Sequence, residues 1–118
     1  MSEALESVSA RLRHEQQTTL ALVVAMEADM QAVVESSADS NADDEHDPEG
    51  ATIAFERSRL ATLITASRKR LDEITNALER VETGEHGRCA VCGKQISAAR
   101  LEARPFAQLC LDCAAAAS

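Results

Sequence analysis

Apolar side chains, with one threonine among them, recur at helical spacing along the first third of the chain. Between residues 2 and about 37 they return at steps of three, four or seven, and no glycine or proline occurs before Pro48. The stripe consists of Leu5, Val8, Leu12, Thr19, Val23, Met26, Met30 and Val33. Such spacing places side chains on one face of an α-helix. We therefore predict one long helix over residues 2–37, whose stripe is interrupted at Glu15.

A second stripe begins after Pro48 and is more regular. Its members are Ile53, Leu60, Ile64, Ser67, Leu71, Ile74, Leu78 and Val81. From Leu60 onward the steps alternate between four and three, which is the heptad pattern of a coiled coil. Asp47 is a suitable N-cap, proline suits the first helical position, and Thr83-Gly84 is typical of a helix end. We predict a second helix from residues 47–48 to residue 83.

Neither predicted helix can bury its own apolar stripe. Each would be about 50 Å long at 1.5 Å per residue, and antiparallel pairing would bury both stripes. The predicted fold is therefore all-α dominated. It comprises a long antiparallel coiled-coil hairpin over residues 1–83, with a tip loop at about 36–50, and a four-cysteine zinc finger with a short C-terminal helix over 84–118 at its base. The same stripes could pair between chains. Because the polar loop divides them evenly, we favour a monomeric hairpin.

All four cysteines lie near the C-terminus, in two Cys-x-x-Cys pairs. Cys89/Cys92 and Cys110/Cys113 are separated by seventeen residues, a spacing typical of zinc modules. The surrounding segment has few large apolar side chains, and zinc binding would supply about 10 kcal/mol of apparent folding free energy. We predict one structural zinc ion held by all four thiolates, with no open coordination position. Free buried thiols or two disulfides are the alternatives, although disulfides are expected mainly in secreted chains.

Composition narrows the classes of function. The net charge is −8, and Phe55 and Phe106 are the only aromatic residues. Both facts argue against binding to a phosphate backbone or to stacked single-stranded bases. The longest apolar run, residues 20–26, is too short to span a membrane, and the first ten residues lack a signal-peptide pattern. We expect a cytoplasmic protein without direct DNA binding or membrane association.

The negative charge is concentrated between residues 35 and 50, which include seven acids and no lysine or arginine. These acids are Glu35, Asp39, Asp43, Asp44, Glu45, Asp47 and Glu49. Acidic runs are usually solvated linkers. The alternative is an acidic tip that contacts a basic or metal-bearing partner, and composition leaves both interpretations open.

The cysteine segment and the helix before it resemble the DksA/TraR family of bacterial transcription factors. The matching positions are Gly84, Gly87, Cys89, Cys92, Gly93, Ile96, the RLEARP string at 100–105, Cys110 and Cys113. The resemblance covers residues 47–114 well and the first helix only by architecture. It implies a non-enzymatic protein that binds RNA polymerase. The coiled-coil tip would enter the secondary channel, act near the catalytic magnesium and modulate promoter complexes, often together with the alarmone ppGpp.

The resemblance also implies which residues contact the polymerase. The family tip carries Asp-x-x-Asp-x-Ala, and counting back from the first cysteine places His46, Glu49 and Ala51 at these positions. The pair Asp44-x-x-Asp47 keeps the acidic spacing two residues earlier. The candidate tip contacts are Asp43, Asp44, Asp47, Glu49 and Ala51, and the candidate base contacts are Arg100 and Arg104.

The chain departs from the ppGpp-responsive members of the family. Those members use basic residues on the second helix and around the zinc module. Arg104 keeps one such position, but Glu73 and Ala114 stand where lysine is expected, so we expect no ppGpp site. His86 replaces the usual aromatic residue of the motif, and we expect it to pack or lie at the surface rather than bind metal.

Two other functions remain as alternatives to a polymerase regulator. One is a redox sensor, because oxidants can attack zinc-bound thiolates and release the metal. The other is a zinc-capped coiled-coil adaptor for a different protein partner. A thiol oxidoreductase is disfavoured, since the Cys-x-x-Cys pairs lack the βαβ context of such enzymes.

Overall fold

The computed structural model describes residues 3–39 and 48–117. These ranges form four helices: α1 (Glu3–Asp39), α2 (Pro48–Thr83), α3 (Ala98–Ala103) and α4 (Leu111–Ala117). Pro48 takes the first position of α2, as its fixed φ favours. The proposed cap, Asp47, lies outside the described residues. Helix α1 continues two residues past its predicted end, into the range predicted as loop.

The chain divides into two compact units. Unit 1 combines residues 1–18 with residues 70–118, and unit 2 consists of residues 19–69. Each unit therefore contains part of α1 and part of α2. Among the described helices, none has an apolar stretch long enough to cross a membrane.

In unit 2 the two helices pair through the predicted apolar stripes. Met26, Leu60 and Ile64 form a buried cluster, against which Met30 and Val33 pack. The direction of pairing follows from contacts along the helices: the Arg68 side chain donates to the Glu27 carboxylate, whereas Val33 lines a cleft with Ile53. Residues later in α1 therefore lie beside residues earlier in α2. The predicted antiparallel arrangement is confirmed.

In unit 1 the helices share a core with the cysteine segment. Leu12 and Ile74 are completely buried, and Phe106 is 4% exposed in the same cluster. Ala77 and Val81 complete the buried set, with Val8 and Leu78 packed against it. The larger of the two apolar clusters thus depends on one aromatic ring supplied from outside the two long helices. The all-α hairpin with a cysteine module is confirmed, whereas the domain division at residue 83 stays a prediction.

Candidate metal centre

The four cysteines form one cluster in unit 1. Their sulfur atoms all lie within 4.8 Å of one another, and the Sγ atoms of Cys92 and Cys110 are 3.8 Å apart. At the usual zinc–sulfur distance of about 2.3 Å, a tetrahedral site separates its sulfurs by about 3.8 Å. None of the four forms a disulfide. The arrangement therefore fits one zinc ion held by four thiolates, with no position left for water or substrate.

The first cysteine pair lies in a short hairpin-like turn. The backbone N–H of Cys89 donates to the carbonyl of Lys94 at 2.8 Å, and that of Gly93 donates back to the Cys89 carbonyl at 3.0 Å. Gly93 has a φ of 76°, in the left-handed region that side chains disfavour. An isolated β-bridge between Arg88 and Gln95 closes the turn. The glycine after the second cysteine thus takes a conformation that lets the turn close.

The second cysteine pair opens helix α4. The Cys113 N–H donates to the Cys110 sulfur at 3.5 Å, and the Ala114 N–H donates to the Cys110 carbonyl at 2.9 Å. The Ala90 N–H donates to the Gln108 carbonyl at 2.8 Å, which joins the two cysteine turns through their backbones. Both turns are therefore held in place by main-chain hydrogen bonds.

The cluster is unevenly exposed, and the pKa values of two of its thiols shift in opposite directions. Cys89 is buried, Cys92 is exposed, and the other two cysteines are half-buried. Backbone N–H groups of Cys92 and Cys110 lower the pKa of Cys89 to about 6. Hydrogen bonding with the side chain of Cys110 raises the pKa of Cys113 to about 12. Because zinc binds thiolates, protons compete with the metal at this cluster.

The histidine in the motif lies outside the cysteine cluster. His86 is half-buried, and its Nε2 donates to the carbonyl oxygen of Pro105 at 2.8 Å. This contact ties the start of the cysteine segment to the RLEARP string. It agrees with the expectation that His86 packs rather than binds metal.

Both candidate base contacts make hydrogen bonds or ring contacts inside unit 1. Arg100 Nε donates to the Leu109 carbonyl at 2.8 Å. Arg104 lies over the Phe106 ring at 5.2 Å from its centroid and 3.7 Å from the Glu73 carboxylate. Sequence reasoning missed Arg80, whose position in the helix gives no signal of a role at the site. Its side chain contacts the backbone just before the first cysteine.

The three positions compared with ppGpp-responsive relatives lie around one cleft. This cleft of about 270 Å³ is lined by Glu73, Arg104 and Ala114 together with Arg100 and Phe106. Of the three compared positions, only Arg104 is basic, and it lies in an ion pair with Glu73.

The candidate tip contacts are only partly described. Asp43, Asp44 and Asp47 lie outside the described residues. Glu49 belongs to the first turn of α2, but its side chain also lies outside the described set. Ala51 is exposed on the same helix. Their role stays a prediction.

Comparison with known proteins finds a zinc-finger family that matches the cysteine segment. Residues 83–118 match the family model described as the prokaryotic dksA/traR C4-type zinc finger. Together with the closed sulfur cluster, this match confirms the prediction of one structural zinc ion.

Curated relatives match over part of the chain. The RNA polymerase-binding transcription factor DksA of Haemophilus influenzae is 46% identical over 46 residues, which is 39% of this chain and 32% of that protein. Its namesake in Escherichia coli K12 is 48% identical over 46 residues, or 39% of this chain and 30% of that protein. The chain thus spans about a third of the length of the curated relatives it matches.

Solved structures match over nearly the whole chain. Transcription factor DksA2 from Pseudomonas aeruginosa superposes with a TM-score of 0.76 at 25% identity, covering 98% of this chain and 84% of that one. The DnaK suppressor protein from Agrobacterium tumefaciens C58 gives a TM-score of 0.61 at 34% identity, covering 98% and 96%. With the zinc-finger match and this near-complete coverage, the chain belongs to the DksA/TraR family of zinc-finger proteins.

Proposed function

We propose that this protein is a non-enzymatic, cytoplasmic regulator of transcription that binds RNA polymerase and modulates promoter complexes. The observation that carries the proposal is the four-cysteine module. The module matches the dksA/traR C4-type zinc-finger model over residues 83–118, and the chain is 48% identical over 46 residues to a protein named as an RNA polymerase-binding transcription factor. The cluster supports a non-enzymatic role, since four sulfur ligands leave zinc no open position for chemistry.

The finer proposal is that the acidic connection between α1 and α2 enters the secondary channel of the polymerase. Antiparallel pairing of the helices in unit 2 supports it, because this pairing leaves residues 40–47 to connect the two helix ends. The charge of the segment also supports it: residues 35–50 contain seven acids and no basic residue. Such a segment would act on the catalytic magnesium and the mobile elements around it, with Asp43, Asp44, Asp47, Glu49 and Ala51 as contacts.

The binding half of the proposal is tested with purified RNA polymerase. Wild-type protein should bind the polymerase directly, whereas Cys89→Ser protein should bind much more weakly, because the zinc module should no longer fold. A wild-type protein that shows no affinity for polymerase would remove the proposed function.

The channel half is tested by site-specific photo-crosslinking. A crosslinking residue at Ala51, which is exposed near the start of α2, should label polymerase segments lining the secondary channel. The same residue at Glu82, which is exposed near the end of α2, serves as the matched control and should label a different surface. If position 51 labels only the outer surface of the polymerase, binding stands and channel entry is abandoned.

A further inference from the structure

The same kind of contact is made just before each of the two cysteine turns, and the sequence alone does not reveal it. Arg80 Nη2 donates to the backbone carbonyl of Arg88, the residue directly before Cys89. Arg100 Nε donates at 2.8 Å to the carbonyl of Leu109, the residue directly before Cys110. Each pair of cysteines is thus preceded by a carbonyl that accepts from an arginine side chain.

Arg80 is held in place by hydrogen bonds at both its backbone carbonyl and its side chain. It belongs to the last turn of α2, and its side chain is 19% exposed. Its backbone carbonyl accepts from the N–H groups of Glu85 and His86 at 2.8 and 3.1 Å. Its Nη2 also donates to the Glu85 carbonyl at 3.1 Å. The residue therefore determines the path of the chain from the helix end to the first cysteine.

Arg100 is held by a capped helix. The Ser97 hydroxyl accepts from the Arg100 N–H at 3.2 Å, which is the N-cap contact of α3. The residue is half-buried, and its side chain reaches across to the segment that precedes Cys110. Because the cap fixes its backbone, the guanidinium approaches the Leu109 carbonyl from a defined direction.

The position of these two carbonyls matters for metal binding. A carbonyl fixed just before a cysteine fixes the plane of the peptide bond that leads into that cysteine, which leaves rotation about its N–Cα bond as the main backbone freedom that directs its Cβ. Hydrogen bonds from cationic donors are stronger than neutral ones. Partners that orient metal ligands in this way commonly change metal affinity by roughly 10- to 100-fold when they are removed.

We propose that Arg80 and Arg100 are positioning residues of the zinc site. Each holds one Cys-x-x-Cys turn in the conformation that directs its two sulfurs at the common centre. Each contact is made to the carbonyl directly before the first cysteine of a pair. The loss of either contact should therefore weaken the binding of that cysteine pair to the metal. This role concerns the metal site alone and is independent of the partner that the protein binds.

The test uses the full-length protein with zinc bound. Arg80→Gln and Arg100→Gln remove the charged donor and keep a side chain of similar polarity. Both variants should contain close to one zinc per chain, but should release it to a chromogenic chelator on the order of 10-fold faster than wild type. Arg80→Lys and Arg100→Lys keep a cationic donor and should recover part of the difference.

Arg104→Gln is the matched control. It removes an arginine from the same RLEARP string whose contacts go to Phe106 and Glu73 rather than to a carbonyl before a cysteine. Its zinc release should resemble that of wild type. Cobalt substitution adds a spectroscopic readout, because the visible bands of tetrahedral cobalt report the sulfur geometry directly. The bands should shift in the two glutamine variants and stay unchanged in the control.

Circular dichroism separates a loosened site from a lost fold. The proposal is overturned if the glutamine variants keep wild-type release rates and cobalt spectra. It is equally overturned if Arg104→Gln accelerates release as much as they do, because the effect would then be general. Should one glutamine variant lose its helical signal, the other glutamine variant decides: release at the wild-type rate overturns the proposal, and faster release supports it.

Discussion

Leu12 of α1 and Ile74 of α2 are both 0% exposed and belong to one apolar cluster. The ring of Phe106, from the cysteine segment, belongs to the same cluster. Arg70 and Arg104 lie over that ring at 5.4 and 5.2 Å from its centroid. The long helices and the zinc module therefore share a core in unit 1, and damage to one should reach the other.

Leu12→Ala should be strongly destabilising. Truncating a fully buried leucine leaves a cavity and typically costs about 2–5 kcal/mol in the free energy of unfolding. Leu20→Ala is the matched control on the same helix, because Leu20 is 50% exposed and should cost about 1 kcal/mol or less. Urea unfolding followed by circular dichroism measures both. Equal losses for the two variants would contradict the assignment of Leu12 to the core.

One zinc ion should bind per chain, and the cysteines should be needed for it. Elemental analysis of reduced protein purified without chelator should give one equivalent, and less than about half an equivalent would count against the site. Cys92→Ser should unfold the cysteine module while α1 and α2 stay largely helical.

The apolar core that the long helices share with the cysteine segment predicts where Cys92→Ser protein loses stability. Without the metal, Phe106 should lose its place in unit 1, whereas the cluster of Met26, Leu60 and Ile64 in unit 2 contains no residue of the cysteine segment. Amide hydrogen exchange in Cys92→Ser protein should therefore accelerate around Ile74 more than around Leu60. Uniform acceleration along α2 would contradict the separate clusters.

Much of the helical core could be predicted from periodicity alone. The alternating steps of the second stripe correctly place Leu60, Ile64, Ile74 and Val81 in the interior. Periodicity succeeds here because the face of a helix depends only on residue spacing. The cysteine cluster could be predicted equally well, since the Cys-x-x-Cys spacing itself brings two sulfurs together.

Other features depend on the path of the chain and could not be predicted. Phe106 lies outside both apolar stripes, yet it packs in one cluster with residues of both long helices, because the turn at the end of α2 folds the segment back. The position of Arg80 in the sequence of α2 gives no sign of a role at the metal site. Its contact with the Arg88 carbonyl exists only once that turn has formed.

The protein should be monomeric in dilute solution. The apolar stripes of α1 and α2 pair within the chain in both units, so no second chain is needed to cover them. Leu20, Leu22 and Val24 remain 50–60% exposed on α1, which makes the measurement worthwhile. Sedimentation equilibrium should give the monomer mass. A stable dimer at micromolar concentration would contradict pairing within the chain and would weaken the proposal of a free tip.

The alarmone ppGpp should not enhance the effect of this protein on transcription. The Glu73 carboxylate lies 3.7 Å from Arg104, so it offsets the one basic residue that the cleft retains from the ppGpp-responsive pattern. A polyphosphate would meet this carboxylate at close range, and like charges repel. Promoter-complex lifetimes measured with the protein should be the same with and without ppGpp, once the direct effect of ppGpp on polymerase is subtracted. A specific enhancement would show that the site works despite the substitutions.

Neutralising the acidic tip should separate binding from effect. Asp44→Asn, Asp47→Asn and Glu49→Gln remove three charges from the region that we propose enters the channel. Surface substitutions usually change the free energy of unfolding by under about 0.5 kcal/mol, although Asp47 could contribute more if it caps α2. Folding and zinc content should therefore survive. Affinity for RNA polymerase should fall only modestly, because in the proposed binding mode the helices and the zinc module would supply most of the contact area.

The effect of the triple variant on promoter-complex lifetime should nevertheless be lost or strongly reduced, since the removed carboxylates are the groups proposed to act at the catalytic centre. A matched control neutralises three exposed acids of α2 that lie outside the acidic segment, through Asp72→Asn, Glu79→Gln and Glu82→Gln. This control loses the same charge and should keep the wild-type effect, which separates the position of the acids from net charge. Polymerase affinity and promoter-complex lifetime are measured side by side for both triple variants and for Cys89→Ser, which should lose binding and effect together. If the tip variant still shifts the lifetime as wild type does, the acidic segment is a solvated linker and the channel mechanism does not apply to this protein.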